Sequence, residues 1–226
     1  MDSWLFVNFK VYESAFGKGA VKLAKSCEAV AQKTGVNVVA VVSPVDVRLV
    51  AASVSIPVFS QHCDLVSFGK GNGKILPEAL REAGAAGVVV NHAEDPVPDE
   101  TVSRVIARCR EAKLQVLACA ENDARAKSIA GFSPDFLAVE PPELIGGDVS
   151  VSTADPALVS RSVKTISSVS QKIVPIMGAG VKSQADAQAA VRLGCRGLFV
   201  ASGVVLAMDP KSAMMGLANG LASIRE

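Results

Sequence analysis

Eight times along the 226 residues, a short apolar run gives way to a few small or polar residues and then to a helical segment. The runs fall at 5–9, 38–42, 58–63, 87–91, 115–120, 136–139, 174–177 and 197–201. The clearest intervening helices are expected at 20–32, 98–113, 156–170 and 184–193, with shorter ones at 45–52 and 76–84. In 98–113, Pro98, Asp99 and Glu100 suit a first turn, Val102, Val105 and Ile106 share one face, and Lys113 stands near the end. Alternating strand and helix implies parallel strands joined by right-handed crossovers. Eight such units can close on themselves, and about 200 residues is the lower limit for that architecture. The expected fold is therefore an α/β, eight-stranded (β/α)8 barrel, with residues 1–226 as a single domain. An open doubly wound sheet is the alternative. It is disfavoured because the first run lacks a GxGxxG turn and no run resembles an exposed edge strand.

Hydrophobic residues make up 50% of the chain and aromatic ones 4%, which predicts a core of Val, Ala, Leu and Ile. Continuous aliphatic runs suit strands covered on both faces. The mean hydropathy of +0.35 raises a membrane question. No apolar run approaches the roughly 18 residues of a span, so no membrane association is expected. The opening Met1-Asp2-Ser3-Trp4 has no basic segment of the secretory kind, and a cytoplasmic location is expected. A net charge of +1 without a Lys/Arg cluster argues against a nucleic-acid partner. The five cysteines are scattered and never form a CxxC, and there are only two histidines, so a metal site is not expected. The cysteines read as buried small apolar residues.

In a barrel of this kind chemistry gathers at the C-terminal ends of the strands, and phosphate often binds at the loops after strands seven and eight. The polar residues there are Asn8 and Lys10 after run one, His62 and Asp64 after three, Asn91, His92 and Glu94 after four, and Glu140 after six. Alternation along a strand sends Asn8 and Lys10 to one side. An ammonium in the mouth would hold an anionic substrate and stabilise a developing oxyanion. Imidazole at His92 can donate to a carbonyl oxygen, and Glu94 can orient Lys10 or the substrate. His62 shows no acid-base partner in sequence and is assigned to structure. Each of these residues also has a plain reading, Lys10 as a solvated strand end and His92 as a satisfied core histidine.

Glu140 ends the sixth run and is followed by Pro141-Pro142-Glu143-Leu144-Ile145-Gly146-Gly147-Asp148. Two prolines stiffen the exit, and two glycines free the far end. That is the layout of a lid, under which a carboxylate loses water and becomes a better proton acceptor. Gly178-Ala179-Gly180 and Ala201-Ser202-Gly203, after runs seven and eight, carry no large side chains and allow backbone N–H groups to approach a phosphate.

The ordered motifs Val7-Asn8-Phe9-Lys10, Asn91-His92-Ala93-Glu94, Glu140-Pro141-Pro142-Glu143-Leu144-Ile145-Gly146, Gly178-Ala179-Gly180-Val181 and Ala201-Ser202-Gly203-Val204 resemble triosephosphate isomerases, in the short form typical of archaea. The resemblance implies a TIM barrel that interconverts dihydroxyacetone phosphate and glyceraldehyde 3-phosphate in glycolysis and gluconeogenesis, without metal or cofactor. It implies Glu140 as base, His92 as electrophile, and Lys10 with Asn8 as substrate-binding residues. Ile145, Gly146, Gly180, Ala201 and Ser202 would bind the phosphate. It implies a homodimer or homotetramer with loop 69–73 at the subunit interface. Another phosphate-binding barrel enzyme, or a barrel that binds triose phosphate without turnover, are the competing readings.

Three positions depart from the family pattern. Asp148 stands where the lid meets a phosphate, Ala93 replaces a usual serine, and Asn72 replaces a usual threonine in loop three. Altered kinetics or a looser dimer is expected. Asp148→Gly and Asn72→Thr should therefore change the steady-state isomerase rate, and rates equal to the parent's would contradict this.

Overall fold

The computed structural model describes residues 2–145, 147 and 150–223. Eight parallel strands close into a barrel in chain order. They are β1 (Trp4–Asn8), β2 (Asn37–Val42), β3 (Val58–Ser60), β4 (Gly87–Val90), β5 (Gln115–Ala120), β6 (Phe136–Val139), β7 (Val174–Met177) and β8 (Gly197–Val200). Closure is made by β1 against β8, with Trp4 opposite Gly197 and Val7 opposite Val200. The helices are α1 (Lys18–Thr34), α2 (Val47–Ala51), α3 (Pro77–Glu82), α4 (Asp99–Glu111), α5 (Asp123–Ala130), α6 (Val151–Ala154), α7 (Pro156–Val169), α8 (Gln184–Arg192), α9 (Ser202–Val205) and α10 (Pro210–Ala222). Among the described residues no helix is long and apolar enough to cross a membrane.

The expected barrel is present, with differences of detail, among them the unexpected helix α10 over Pro210–Ala222. Strand three stops at Ser60, because the Ser60 hydroxyl bonds the His62 carbonyl and turns the chain out of the ladder. Pro98 is the N-cap of α4 rather than part of its first turn, which begins at Asp99. Helix α5 carries too few apolar residues for periodicity to reveal it. It is started by Asn122, whose side chain accepts from the Arg125 N–H.

Alternation splits the strand side chains into two layers. Leu5, Val7, Val38, Ala40, Val88 and Val90 point outward to the helices. Phe6, Val39, Val41, Phe59, Leu117, Phe136, Ile176 and Phe199 fill the barrel. The expected aliphatic residues dominate the outer layer, and in the inner one they share the space with four phenylalanines. Phe6, Phe59 and Phe136 meet edge to face at centroid distances of 5.5, 4.9 and 6.2 Å, and Trp4 stands 4.8 Å from Phe136. Rings of that size need room, and glycines at the start of two strands provide it. A Cβ at Gly87 would lie 2.4 Å from the Phe59 ring and 2.6 Å from the Gln115 carbonyl oxygen, and one at Gly197 would lie 2.6 Å from the Trp4 carbonyl oxygen. The five cysteines are buried and free, as expected.

Gly87→Ala should therefore overpack the barrel floor and lower the unfolding free energy by about 1–3 kcal/mol, read by chemical denaturation. Unchanged stability would show that the aromatic layer can yield.

Candidate active site

The strand ends deliver Asn8, Lys10, His92, Glu140, Ile145, Gly180, Ala201 and Ser202 to one cavity at the C-terminal mouth. Gly146 and Asp148 lie outside the described residues. Glu94 stands at the edge of the mouth rather than in that cavity, where its Oε1 pairs with Lys10 Nζ at 2.7 Å. Burial of Glu94 works to raise its carboxyl pKa, but the Lys10 hydrogen bond and charge outweigh it, and the net result lies below the ordinary 4.5.

Lys10 reaches the mouth by a different route from the one alternation suggests. Strand β1 ends at Asn8, and Lys10 takes a left-handed φ of 46°, a conformation that a non-glycine residue adopts only when its surroundings impose it. Here they do. Asn8 Oδ1 accepts from the Lys10 N–H at 3.0 Å, and Gln61 Nε2 donates to the Lys10 carbonyl at 3.0 Å and to Asn8 Oδ1 at 3.2 Å. Gln61 is a supporting residue that sequence reasoning missed; its place directly after strand three was the available signal.

His92 follows Asn91, itself left-handed at φ 59°. The Glu94 backbone N–H donates to His92 Nδ1 at 3.1 Å, so Nδ1 is the acceptor and the remaining proton of a neutral ring sits on Nε2. The ring lies edge-on to Phe199, centroids 5.9 Å apart. His62 is half-exposed and outside this cavity. It has carboxylate partners the sequence did not show, with Nδ1 3.0 Å from Asp95 Oδ2 and Nε2 3.7 Å from Asp64 Oδ1.

Glu140 is 5% exposed, and its Oε2 has no hydrogen-bond partner among the described residues. Burial raises its pKa above the ordinary 4.5, opposed by the nearby His92, the adjacent Cys119 thiol and Lys10. The Cys119 thiol is pushed well up in turn, by burial and then by the Glu140 carboxylate. Space for the carboxylate exists because residue 178 is glycine, where a Cβ would lie 2.3 Å from Glu140 Oε1. Ala93 lies beside Glu140 along a second cavity on the α4 side, and Asn72 is exposed on its loop. At the opposite rim Ala179 and Gly180 are both left-handed, at φ 66° and 69°.

A buried carboxylate, a bare proton donor on imidazole and a fixed ammonium around one cavity form a constellation for proton transfer beside a carbonyl. A family model described as triosephosphate isomerase matches residues 3–218. The chain belongs to the triosephosphate isomerase family. It is 40% identical over 210 residues to the triosephosphate isomerase of Methanothermus fervidus, covering 93% of this chain and 95% of that one. It is 38% identical over 213 residues to that of Methanobacterium bryantii, 94% of each chain, and 36% identical over 214 residues to that of Methanosarcina acetivorans, covering 95% and 96%.

The raised Glu140 pKa has a stability consequence. The folded state keeps this proton to a higher pH than the unfolded chain does, so stability falls as pH rises from 4.5 through the raised value. Below 4.5 both states hold the proton and the penalty vanishes. Glu140→Gln removes the charge, and its Tm should exceed the parent's by about 2 °C or more near pH 8. The difference should shrink to nothing on acidification. An equal or lower Tm at all pH values would contradict a desolvated carboxylate.

Proposed function

We propose that the protein acts as a triosephosphate isomerase, interconverting dihydroxyacetone phosphate and D-glyceraldehyde 3-phosphate through an enediolate. The observation that carries this reading is the buried Glu140 carboxylate, one oxygen unpartnered, sharing a cavity with Lys10 and with His92, whose Nδ1 is occupied. Glu140 takes the proton from the carbon next to the carbonyl. As electrons move to the carbonyl oxygen, His92 Nε2–H donates to it and the Lys10 ammonium stabilises its charge. Glu140 then returns the proton to the former carbonyl carbon, while the hydroxyl on the other carbon gives its proton back to His92 and becomes the new carbonyl, so no redox partner is consumed. Asn8 sets the Lys10 backbone and binds substrate with it. Ile145 and Gly146 of the lid, with Gly180, Ala201 and Ser202, hold the phosphate through backbone groups. Closure of the lid keeps water from the enediolate.

The reaction as written needs neither metal nor cofactor. The reading places the protein in glycolysis and gluconeogenesis, in the cytoplasm, with the whole chain as one barrel domain. It also includes a homodimer or homotetramer with loop 69–73 at the subunit interface. Support for that comes from Val11, Val45 and Phe68, large apolar side chains exposed on the segments after β1, β2 and β3, at the same rim as that loop.

A coupled assay from glyceraldehyde 3-phosphate, following dihydroxyacetone phosphate by NADH consumption, tests the reading. The parent should turn over, and Glu140→Asp, which withdraws the carboxylate by one methylene, should lose about a hundredfold or more in kcat. A silent parent, or an undiminished variant, would overturn it.

A further inference from the structure

We propose that Arg125, on α5, is a positioning residue for His92: it holds the loop 91–98 in the path that aims the imidazole into the barrel mouth. The proposal rests on the isomerase reading for its kinetic consequences, and on geometry alone for the placement of the ring. The Arg125 Nη2 donates to the Val97 carbonyl at 2.6 Å and to Asn91 Oδ1 at 3.3 Å. One guanidinium nitrogen thus joins the residue before His92 to the residue five beyond it.

Asn91 completes the clamp. Its Oδ1 also accepts from the Val97 N–H at 3.0 Å, and its Nδ2 donates to the Cys119 carbonyl of β5 at 2.8 Å. The left-handed backbone of Asn91 is strained, and these bonds over-determine it. Arg125 Nε lies 2.8 Å from Asp99 Oδ1 at the start of α4, but the angle there misses a hydrogen bond. The other Asp99 oxygen accepts from the Ser128 hydroxyl, back on α5. The plane of the guanidinium is therefore governed by the loop acceptors, with Asp99 supplying charge.

This matters for chemistry because the N–H that fixes the His92 tautomer belongs to Glu94, inside the clamped loop. A shift of the loop moves that N–H relative to Nδ1 and turns Nε2–H away from the mouth. The phosphate-binding groups proposed above come from the loops after β6, β7 and β8, not from this one. Loss of Arg125 should therefore weaken the chemical step more than substrate affinity, which the loop reaches only through the Glu94 pair with Lys10. Lysine offers a point charge without the planar fork and should serve only in part.

Two readouts on the purified full-length protein test the proposal. In steady state, Arg125→Met should lower kcat about 10- to 100-fold and change KM by less than it changes kcat, and Arg125→Lys should fall between it and the parent. Arg161→Met, which breaks the Arg161 pair with Asp123 on another side of α5, should keep the parent's kcat. The second readout needs no turnover. With only two histidines in the chain, 15N NMR resolves the His92 ring. The parent should show one protonated and one bare nitrogen, and Arg125→Met should average them, with Arg125→Lys moving the same way if the methionine variant does not fold. His92 resonances unchanged in the Arg125 variants would overturn the proposal whether or not the parent is an isomerase. So would a fall in kcat that Arg161→Met reproduces. A silent parent with averaged nitrogens would instead overturn the isomerase reading and leave the positioning role standing.

Discussion

A carboxylate kept from water, with one oxygen unanswered among the described residues, is the constraint around which this protein is arranged. A buried charge of that kind is costly unless paired, and a fold tolerates it only where the surroundings hold it in place. Here the holding is done by the barrel. Glu140 is anchored by its backbone N–H to the Ala120 carbonyl of β5, while Gly178 after β7 leaves the side chain its space. The surrounding positive charge is close enough to matter but does not form a direct ion pair, since Lys10 is taken by Glu94. A carboxylate in that state accepts a proton more readily than a solvated one.

The rest of the molecule keeps the opposing groups still. The barrel interior is plugged by Phe6, Phe59, Phe136 and Phe199, and Phe199 also meets the His92 ring. Packing of that density transmits little slack from the helices to the strand ends. At the rim, precision comes from side-chain amides. Gln61 and Asn8 fix the strained Lys10 backbone, and Asn91 fixes the strained turn into His92. Strain thus sits at Lys10 and at the residue before His92, and hydrogen bonds from neighbouring strands sustain it.

The eightfold alternation made the barrel legible in the sequence, because buried parallel strands are continuous apolar runs and their helices are amphipathic. The rim residues were legible for the same reason, as polar residues closing apolar runs. What stayed hidden depended on distance across the chain. The low aromatic content gave no sign that four phenylalanines share one small interior, since that follows from which strand faces turn inward together. Alternation suggested Lys10 for the mouth, but its direction is set by a left-handed backbone and by Gln61, 51 residues away. Arg125 looked like an ordinary helix-surface charge, and its link to Asn91 exists only once β4 and β5 are adjacent. His62 showed no partner in sequence because Asp95 approaches from the loop after β4.

The most direct test of the central claim is a titration of the Glu140 carboxyl itself, by 13C NMR of side-chain-labelled glutamate with Glu140→Gln to assign the resonance. A midpoint clearly above the ordinary 4.5 is expected, because burial outweighs the nearby positive charge. A midpoint at or below 4.5 would mean that His92 and Lys10 dominate, and that Glu140 is an ion-paired carboxylate rather than a desolvated base.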